Sequence, residues 1–166
     1  MNNGHTQKIR PFLWFNDQAE EAATFYTSIF KNSKIGSVSR YGEDGPGPAG
    51  TAMVVTFELD GVPFLALNGG PDFAFTEAVS FLIDCQTQDE VDYFWERLSE
   101  GGETGQCGWL KDKFGLSWQV VPSQLGDLMS GAISSEDEEK SARVMSAMLQ
   151  MTKLNIAELE RAYAGT

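Results

Sequence analysis

The sequence of 166 residues has little of what most catalytic and metal sites are built from. Its single histidine, His5, lies in a polar stretch that we predict to be a flexible tail over residues 1–7. Because the only histidine lies in this tail, we expect no Ser-His-Asp triad and no Cys-His pair, and a two-His metal site lacks its second ligand. The sequence therefore predicts no metal of the usual kind and identifies no catalytic residue.

Cysteines and long apolar runs are also scarce. Cys85 and Cys107 are the only cysteines, one in a strand-like run and one beside glycines, which indicates reduced thiols instead of a disulfide framework. No apolar run approaches the roughly 20 residues that a membrane span requires. The N-terminal residues lack the apolar stretch of a signal peptide. We therefore expect a cytoplasmic protein.

Positive charge is the third scarcity. Twelve basic residues stand against 24 acidic ones, for a formal net charge of −12, and the basic residues are scattered along the chain. Such a surface repels both nucleic-acid phosphates and anionic lipids. The expected partners therefore include no nucleic acid and no membrane.

The first half of the chain is patterned as a strand, a helix and three strands. Asn16-Asp17 supplies capping residues for the helix, and Asp60-Gly61 between two apolar runs predicts a hairpin turn. The predicted elements are a strand over 8–15, a helix over 19–30, and strands over 35–41, 52–59 and 62–67.

The same order then repeats, with a strand over 78–85, a helix over 88–99, and two further strands ending at 121. At an offset of 69, Phe12-Leu13 aligns with Phe81-Leu82, and Phe25-Tyr26 aligns with Phe94-Trp95. Near the ends of the halves the offset falls to 54, which aligns Gly61 with Gly115. We therefore predict an α+β domain over 8–122, made of two βαβββ modules at 8–75 and 76–122.

Residues 123–166 are predicted to be a helical extension of the same domain. Ser135 with Glu138 forms a capping-box pattern, and Asn155 with Glu158 caps a second helix that reaches Tyr163. The first of these helices carries an apolar, Met-rich stripe that it cannot bury alone. The stripe packs either on the sheet or on a partner chain, and we expect a homodimer.

A glycine-rich segment at 45–50 fits the G-x-G-x-x-G pattern of dinucleotide-binding turns. That turn needs a strand before it and a helix N-terminus after it, whereas a predicted strand follows here. The two prolines also remove backbone N–H groups that would hold phosphates. The segment is predicted to be a mobile loop, which argues against a nucleotide or adenosylmethionine site.

Three motifs resemble PhnB-like proteins of the vicinal oxygen chelate superfamily, which includes glyoxalases, bleomycin-resistance proteins and dioxygenases. They are AEEAATFY at 19–26, LNGGP at 67–71 and CGWLKDKFGLSWQ at 107–119, and the resemblance spans about 8–122. It implies that the two modules form a cupped half-barrel sheet around a small-molecule cleft. Whether the modules pair within one chain or swap between chains stays open.

The resemblance also implies where a metal would be held. Metal-dependent members of the superfamily place His or Glu ligands on the first and last strands of each module, and these positions fall here at or beside Arg10, Leu65, Val79 and Gln119. None of them is a histidine or a carboxylate, and the neighbours Pro11, Ala66 and Ser80 are no better ligands. The usual metal centre is therefore not expected, so the sequence predicts no cofactor.

We accordingly expect a homodimeric, metal-independent protein that binds a small organic ligand in an aromatic cleft with a few polar groups. The cleft residues are predicted to be Arg10, Phe12, Trp14, Arg40, Tyr41, Leu65, Asn68, Phe81, Trp109, Ser117 and Gln119. An enzyme is the first alternative, either a metal-assisted lyase, isomerase or dioxygenase, or the demethylubiquinone methyltransferase that some PhnB-like sequences are labelled as. A dimeric interaction module with a filled cup is the second.

Overall fold

The computed structural model of the protein describes residues 7–129 and 135–166, with side chains at 7–129 and 137–166. His5, the rest of the expected tail up to residue 6, and the Ser135 side chain of the predicted capping box lie outside the described residues. The chain separates into two compact units, one ending at Ala74 and the other beginning at Phe75.

The first unit is a βαβββ module with an open four-stranded sheet. Its elements are β1 (Phe12–Phe15), α1 (Ala19–Ile29), β2 (Lys34–Arg40), β3 (Ala52–Leu59) and β4 (Val62–Asn68). The strand order is β1-β4-β3-β2, with β1 parallel to β4 and the other neighbours antiparallel. Asp60 and Gly61 both have positive φ angles, as a tight hairpin turn requires, so the predicted turn is confirmed.

Helix α1 covers one face of this sheet. Ala22, Ala23 and Tyr26 are buried, and the Tyr26 ring stacks on Phe57 of β3 with 6.3 Å between ring centroids. Side chains alternate along a strand, so every second residue points toward the helix. The helix-facing set is buried and apolar: Leu13, Phe15, Val55, Phe57, Phe64 and Ala66.

The start of α1 differs from the prediction. The residue that caps the helix is Gln18, which makes no side-chain capping bond, so the capping role predicted for Asn16-Asp17 is wrong. Instead the Ala19 N–H donates to Asn68 Oδ1 at 2.8 Å. A residue at the end of β4 thus satisfies a free N–H group of the first helical turn.

The second unit repeats this topology. Its module comprises β5 (Ser80–Cys85), α2 (Gln88–Ser99), β6 (Glu103–Thr104), β7 (Trp109–Lys111) and β8 (Ser117–Pro122). The strand order is β5-β8-β7-β6, with β5 parallel to β8. Val91, Trp95 and Leu98 form the buried face of α2.

The strand pairing corrects the repeat alignment at the first strand of each module. Phe12 pairs with Leu65 in the first sheet, and Leu82 pairs with Gln119 in the second. Phe12 therefore corresponds to Leu82, an offset of 70, and the predicted match of Phe12-Leu13 to Phe81-Leu82 is wrong by one residue. Three residues (16–18) join β1 to α1, whereas two (86–87) join β5 to α2. The helices themselves align at 69.

The C-terminal segment adds three helices, α3 (Leu125–Met129), α4 (Ser135–Met148) and α5 (Ile156–Ala164). Asn155 Oδ1 accepts from the Glu158 N–H at 3.0 Å, so the predicted cap of α5 is confirmed, whereas α3 was not predicted. The segment has a small core of its own, made of Leu125, Val144, Met151, Leu154 and Leu159. Part of the predicted apolar stripe stays exposed, at Met145 in α4 and at Leu149 just after it.

The predicted α+β class with two βαβββ modules is confirmed, and each sheet is an open, four-stranded mixed sheet. The joining of the two sheets into one cup stays a prediction. Among residues 7–129 and 135–166, no helix combines the length and the apolar character needed to cross a membrane.

Candidate functional site

The first sheet has an open face, the face opposite α1. Strand pairing places Phe12 beside Leu65 and Trp14 beside Leu67, and the first of these rows continues to Thr56 on β3. Phe12 is 57% exposed, while Trp14 and Leu65 are half-buried. The structure therefore places three of the predicted cleft residues, Phe12, Trp14 and Leu65, on this face.

Trp14 is held in place by the segment that follows β4. Its indole N–H donates to the Gly70 carbonyl at 2.9 Å, and its ring meets Phe73 edge-on with 5.0 Å between centroids. A Cβ atom at Gly69 would come within 2.3 Å of the indole, so only glycine fits there. The indole is thus a rigid part of the open face.

The open face of the second sheet, opposite α2, is defined by two rows of side chains that cross β5, β8 and β7. One row contains Leu82, Gln119 and Trp109, and the next contains Ser80, Ser117 and Lys111. Leu82 is 58% exposed, and Trp109 and Gln119 are half-buried. The predicted residues Trp109, Ser117 and Gln119 are therefore brought together on one face. Its polar row is Ser80, Ser117 and Lys111, and in the neighbouring row Gln119 lies between two apolar side chains.

The polar row contains an unusual buried hydroxyl group. Ser117 is 1% exposed, and its Oγ has no hydrogen-bond partner among the residues that the structure describes. Two residues along β8, the Gln119 amide N–H donates to Ser80 Oγ at 2.8 Å. A buried hydroxyl without a partner is costly, so this position is suited to a ligand atom that completes the bond.

The same side chains do not fit a divalent metal. Gln119 and Ser80, which stand at or beside two of the expected ligand positions, are neutral and bonded to each other, and Leu65 occupies a third. In the described part of the chain, no three His, Cys, Asp or Glu side chains gather as a metal cluster. Divalent metals prefer deprotonated nitrogen, sulfur or carboxylate ligands, which this set does not supply.

Two predicted cleft residues lie on the helix faces. Phe81 pairs with Trp118, whose ring centroid is 5.5 Å away, and both lie on the α2 side of the second sheet. Asn68 is on the α1 side of the first sheet, where it accepts from Ala19 and donates to the Ala52 carbonyl at 3.0 Å. Strand alternation separates Phe81 and Asn68 from the open faces.

Arg40, Tyr41 and Arg10 also lie apart from the open-face rows. The Arg40 guanidinium donates to both carboxylate oxygens of Glu20 on α1, at 3.0 and 3.4 Å. The Tyr41 hydroxyl donates to the Asn68 carbonyl. Arg10 is exposed and precedes β1. For Arg40 or Tyr41 to contact a ligand on an open face, each would have to give up the bond that it makes here.

The glycine-rich segment after Tyr41 is a closed loop between two antiparallel strands. Gly50 N–H donates to the Tyr41 carbonyl at 2.9 Å, and Gly47 packs so closely on the Tyr41 ring that a Cβ atom there would lie at 2.5 Å. Strand β3 follows the loop. The segment therefore lacks the helix N-terminus that a dinucleotide-binding turn needs.

Sequence reasoning missed an ion pair at the edge of the polar row. Lys111 Nζ pairs with the Glu77 carboxylate, which lowers the pKa of Glu77 and raises the pKa of Lys111 through their hydrogen bond. It also missed the exposed Leu82. The register of β5 against β8 would have identified Leu82, and the sequence alignment was one residue away from it. The register of β7 against β8 would have identified Lys111.

Two surface clefts of the second unit lie at its C-terminal helices. One, of about 390 Å³, is lined by the start of α2, by the start of α5 and by Gln124. The other, of about 440 Å³, lies beside Arg143, whose guanidinium donates to the Ala162 and Tyr163 carbonyls at the end of α5. Neither cleft contains a predicted cleft residue.

Comparison with known proteins gives a family match over most of the chain. The family model described as 3-demethylubiquinone-9 3-methyltransferase matches residues 7–121. The PhnB protein of Bacillus cereus, whose description also names that methyltransferase, is 41% identical, with 70% of this chain and 99% of that chain covered and a TM-score of 0.66. The match leaves the C-terminal helices outside the shared region.

More distant solved structures share the fold. A Pseudomonas aeruginosa protein is 21% identical over 70% of this chain and 98% of its own, with a TM-score of 0.59. The fosfomycin resistance protein FosX of Listeria monocytogenes, solved with Mn(II) and sulfate, is 16% identical over 75% and 96%, with a TM-score of 0.52. Among curated proteins, none matches the chain.

Proposed function

Because the chain belongs to the PhnB-like family whose model is described as 3-demethylubiquinone-9 3-methyltransferase, we propose that it is a small-molecule-binding protein of the glyoxalase/bleomycin-resistance fold. Its ligand lies on the open face of the second sheet and is held without a divalent metal. The observation that carries the proposal is the buried Ser117 hydroxyl, which has no hydrogen-bond partner among the described residues, beside the Ser80–Gln119 bond and the apolar Leu82 and Trp109 side chains.

The apolar and the polar side chains of the second open face have distinct parts in this binding. Leu82 and Trp109 supply apolar surface for the body of the ligand, which gains free energy as that surface leaves water. The bond from Gln119 Nε2 to Ser80 fixes the amide and leaves Oε1 as an acceptor for a ligand O–H or N–H. Leu82 and Trp109 therefore give affinity, and the Gln119 amide gives orientation.

The proposal is tested by calorimetric titration of chelator-treated, full-length protein with benzyl alcohol, a neutral aromatic alcohol. Gln119→Ala and Trp109→Ala are each expected to weaken binding about tenfold, equivalent to roughly 1.4 kcal/mol. Tyr93→Ala is the matched control, since it removes an exposed ring from α2 and leaves the open face intact. Absent binding, equal affinities in all variants, or binding that requires added metal would overturn the proposal.

The family description favours a second candidate, a methyltransferase. Methyl transfer requires a site for the methyl donor, and the glycine-rich loop packs on its own Tyr41 instead of opening onto a helix N-terminus. Titration with adenosylmethionine separates the candidates. We expect no heat of binding at ligand concentrations up to about 1 mM, whereas saturable binding would favour the methyltransferase.

We also propose that the protein is a cytoplasmic homodimer. The exposed side chains of Met145 on α4 and of Leu149 just after it, the latter 55% exposed, support self-association. The free thiols of Cys85 and Cys107 suit a reducing compartment. Light scattering coupled to gel filtration is expected to give twice the chain mass of 18.2 kDa, and Leu149→Lys is expected to shift the mass toward the monomer.

A further inference from the structure

The polar row of the second open face ends at a charged bridge. Ser80, Ser117 and Lys111 are direct neighbours across β5, β8 and β7. Lys111 on β7 forms an ion pair with Glu77, which lies three residues before β5 begins. Because β8 lies between β5 and β7, this ion pair connects the two sides of the polar row. Ser117 is the first residue of β8 and lies between the two ends of the bridge.

The bridge can open at low cost. The side chains of Lys111 and Glu77 are 34% and 60% exposed, and exposed ion pairs add little to stability because water solvates both partners well. Glu77 lies outside the strands, whereas Lys111 is anchored in β7. A competing anion would therefore replace Glu77 and leave Lys111 in place.

The charges on this face favour a singly charged anion over a dianion as the partner of Lys111. Among the strand residues of this sheet, all of which the structure describes, Lys111 is the one cation, and Glu103 and Asp84 are the acidic residues. A carboxylate that replaces Glu77 keeps this balance. Glu103 on β6 lies opposite Lys111 on β7 in the strand register. A dianionic phosphate group would therefore add an uncompensated negative charge beside the Glu103 carboxylate.

Resting on the proposed function, we propose that the ligand is a small organic acid whose carboxylate displaces Glu77 from Lys111 and accepts a hydrogen bond from Ser117. The Ser117 hydroxyl then donates to a charged acceptor, which is stronger than a bond to a neutral one. The apolar body of the acid lies along the neighbouring row of Leu82 and Trp109. The proposal thus gives a role in binding to the Ser117 hydroxyl and to the exposed Lys111–Glu77 ion pair.

The inference is tested by calorimetric titration of the full-length protein with benzoate, using benzyl alcohol as its neutral analogue and phenylphosphonate as a dianion. Lys111→Met and Ser117→Ala are expected to weaken benzoate binding by at least about tenfold and about fivefold. Glu77→Gln is expected to tighten it severalfold, because the competing carboxylate is gone. Lys111→Arg, which keeps the charge, is expected to retain most of the affinity.

The outcomes separate the inference from the function on which it rests. If the protein binds benzyl alcohol but benzoate binds no more tightly, or if Glu77→Gln weakens benzoate binding, the carboxylate inference fails and the open-face proposal stands. Tighter binding of phenylphosphonate than of benzoate would also overturn the inference. If neither benzoate nor benzyl alcohol binds, both fail. Unfolding curves of each variant establish that it remains folded.

Discussion

At the scale of single residues, Ser117 makes a prediction about stability that runs opposite to its role in binding. Its hydroxyl is buried without a described partner, so Ser117→Ala removes an unsatisfied group and is expected to raise the free energy of unfolding by about 1 kcal/mol. Urea unfolding of the ligand-free protein measures this change. Ser80→Ala is the control and is expected to lower stability, because Gln119 loses its acceptor. A loss of stability in Ser117→Ala would show that the hydroxyl is already satisfied.

Cys85 makes a prediction about pH dependence. Burial, and then the nearby charges of Glu90 and Asp84, raise the pKa of the Cys85 thiol from 9.0 to about 12. The unfolded chain therefore loses this proton above pH 9 while the folded protein keeps it, so stability falls between pH 9 and pH 12. At pH 10 the loss is expected to be up to about 1 kcal/mol relative to pH 8. The free energy of unfolding of Cys85→Ala should fall less over this pH interval. Equal pH dependence in the two proteins would contradict the raised pKa of Cys85.

The same scale explains which site residues the sequence could identify. Phe12, Trp14, Trp109 and Gln119 lie on open faces, because aromatic and polar residues at alternate strand positions carry that signal. Phe81 lies on the helix face, because one residue of register reverses every side chain of a strand. Asn68, Arg40 and Tyr41 form bonds to α1 or to backbone carbonyls, which depend on distant packing that periodicity does not encode.

At the scale of elements, one of the contacts that attach the C-terminal segment to the second module is made by a glycine. Gly108 has a φ angle of +82°, and its N–H donates to the Thr152 carbonyl at 2.7 Å. An added Cβ would lie 2.6 Å from the Val120 carbonyl oxygen and 3.1 Å from a Leu154 methyl group. This close approach explains why glycine occupies the position and how the extension is held against the module.

Gly108→Ala is therefore expected to destabilise the protein more than Gly115→Ala. Gly115 has nearly the same φ angle, +84°, but an added Cβ there meets nothing within 4 Å. Gly115→Ala should cost only the backbone strain, roughly 1–2 kcal/mol, and Gly108→Ala roughly 1–3 kcal/mol more because of the clash. Urea unfolding of both variants provides the comparison. Equal losses would mean that the contact with Leu154 yields without cost.

Element order was predictable where patterns are strong. Both module helices, the Asp60-Gly61 turn and the cap at Asn155 follow from local periodicity and turn chemistry. The starts of β3 and β4 were predicted at Ala52 and Val62, where they lie, whereas β1 begins at Phe12 and β5 at Ser80, inside the predicted runs over 8–15 and 78–85. The first and last residues of a strand depend on where the neighbouring strand provides hydrogen-bond partners. That neighbouring strand is encoded elsewhere in the sequence.

At the scale of the whole molecule, the repeat detected in the sequence corresponds to two sheets with the same topology. The family match ends at residue 121, and the helices after Pro122 bury their own small core. The Bacillus cereus protein is covered over 99% of its length by 70% of this chain. The open-face residues of the second sheet lie within the family match.

The measurement that tests the central claim most directly follows the indole N–H signals of the tryptophans by NMR. Benzyl alcohol is titrated into the full-length, metal-free protein. Trp109 lies on the second open face, whereas Trp118 lies on the helix face of the same sheet and Trp95 is buried in α2. We predict that the Trp109 indole resonance shifts with saturation while those of Trp118 and Trp95 stay unchanged. A saturable shift at Trp118 or Trp95 with Trp109 unmoved would place the ligand elsewhere and contradict the account.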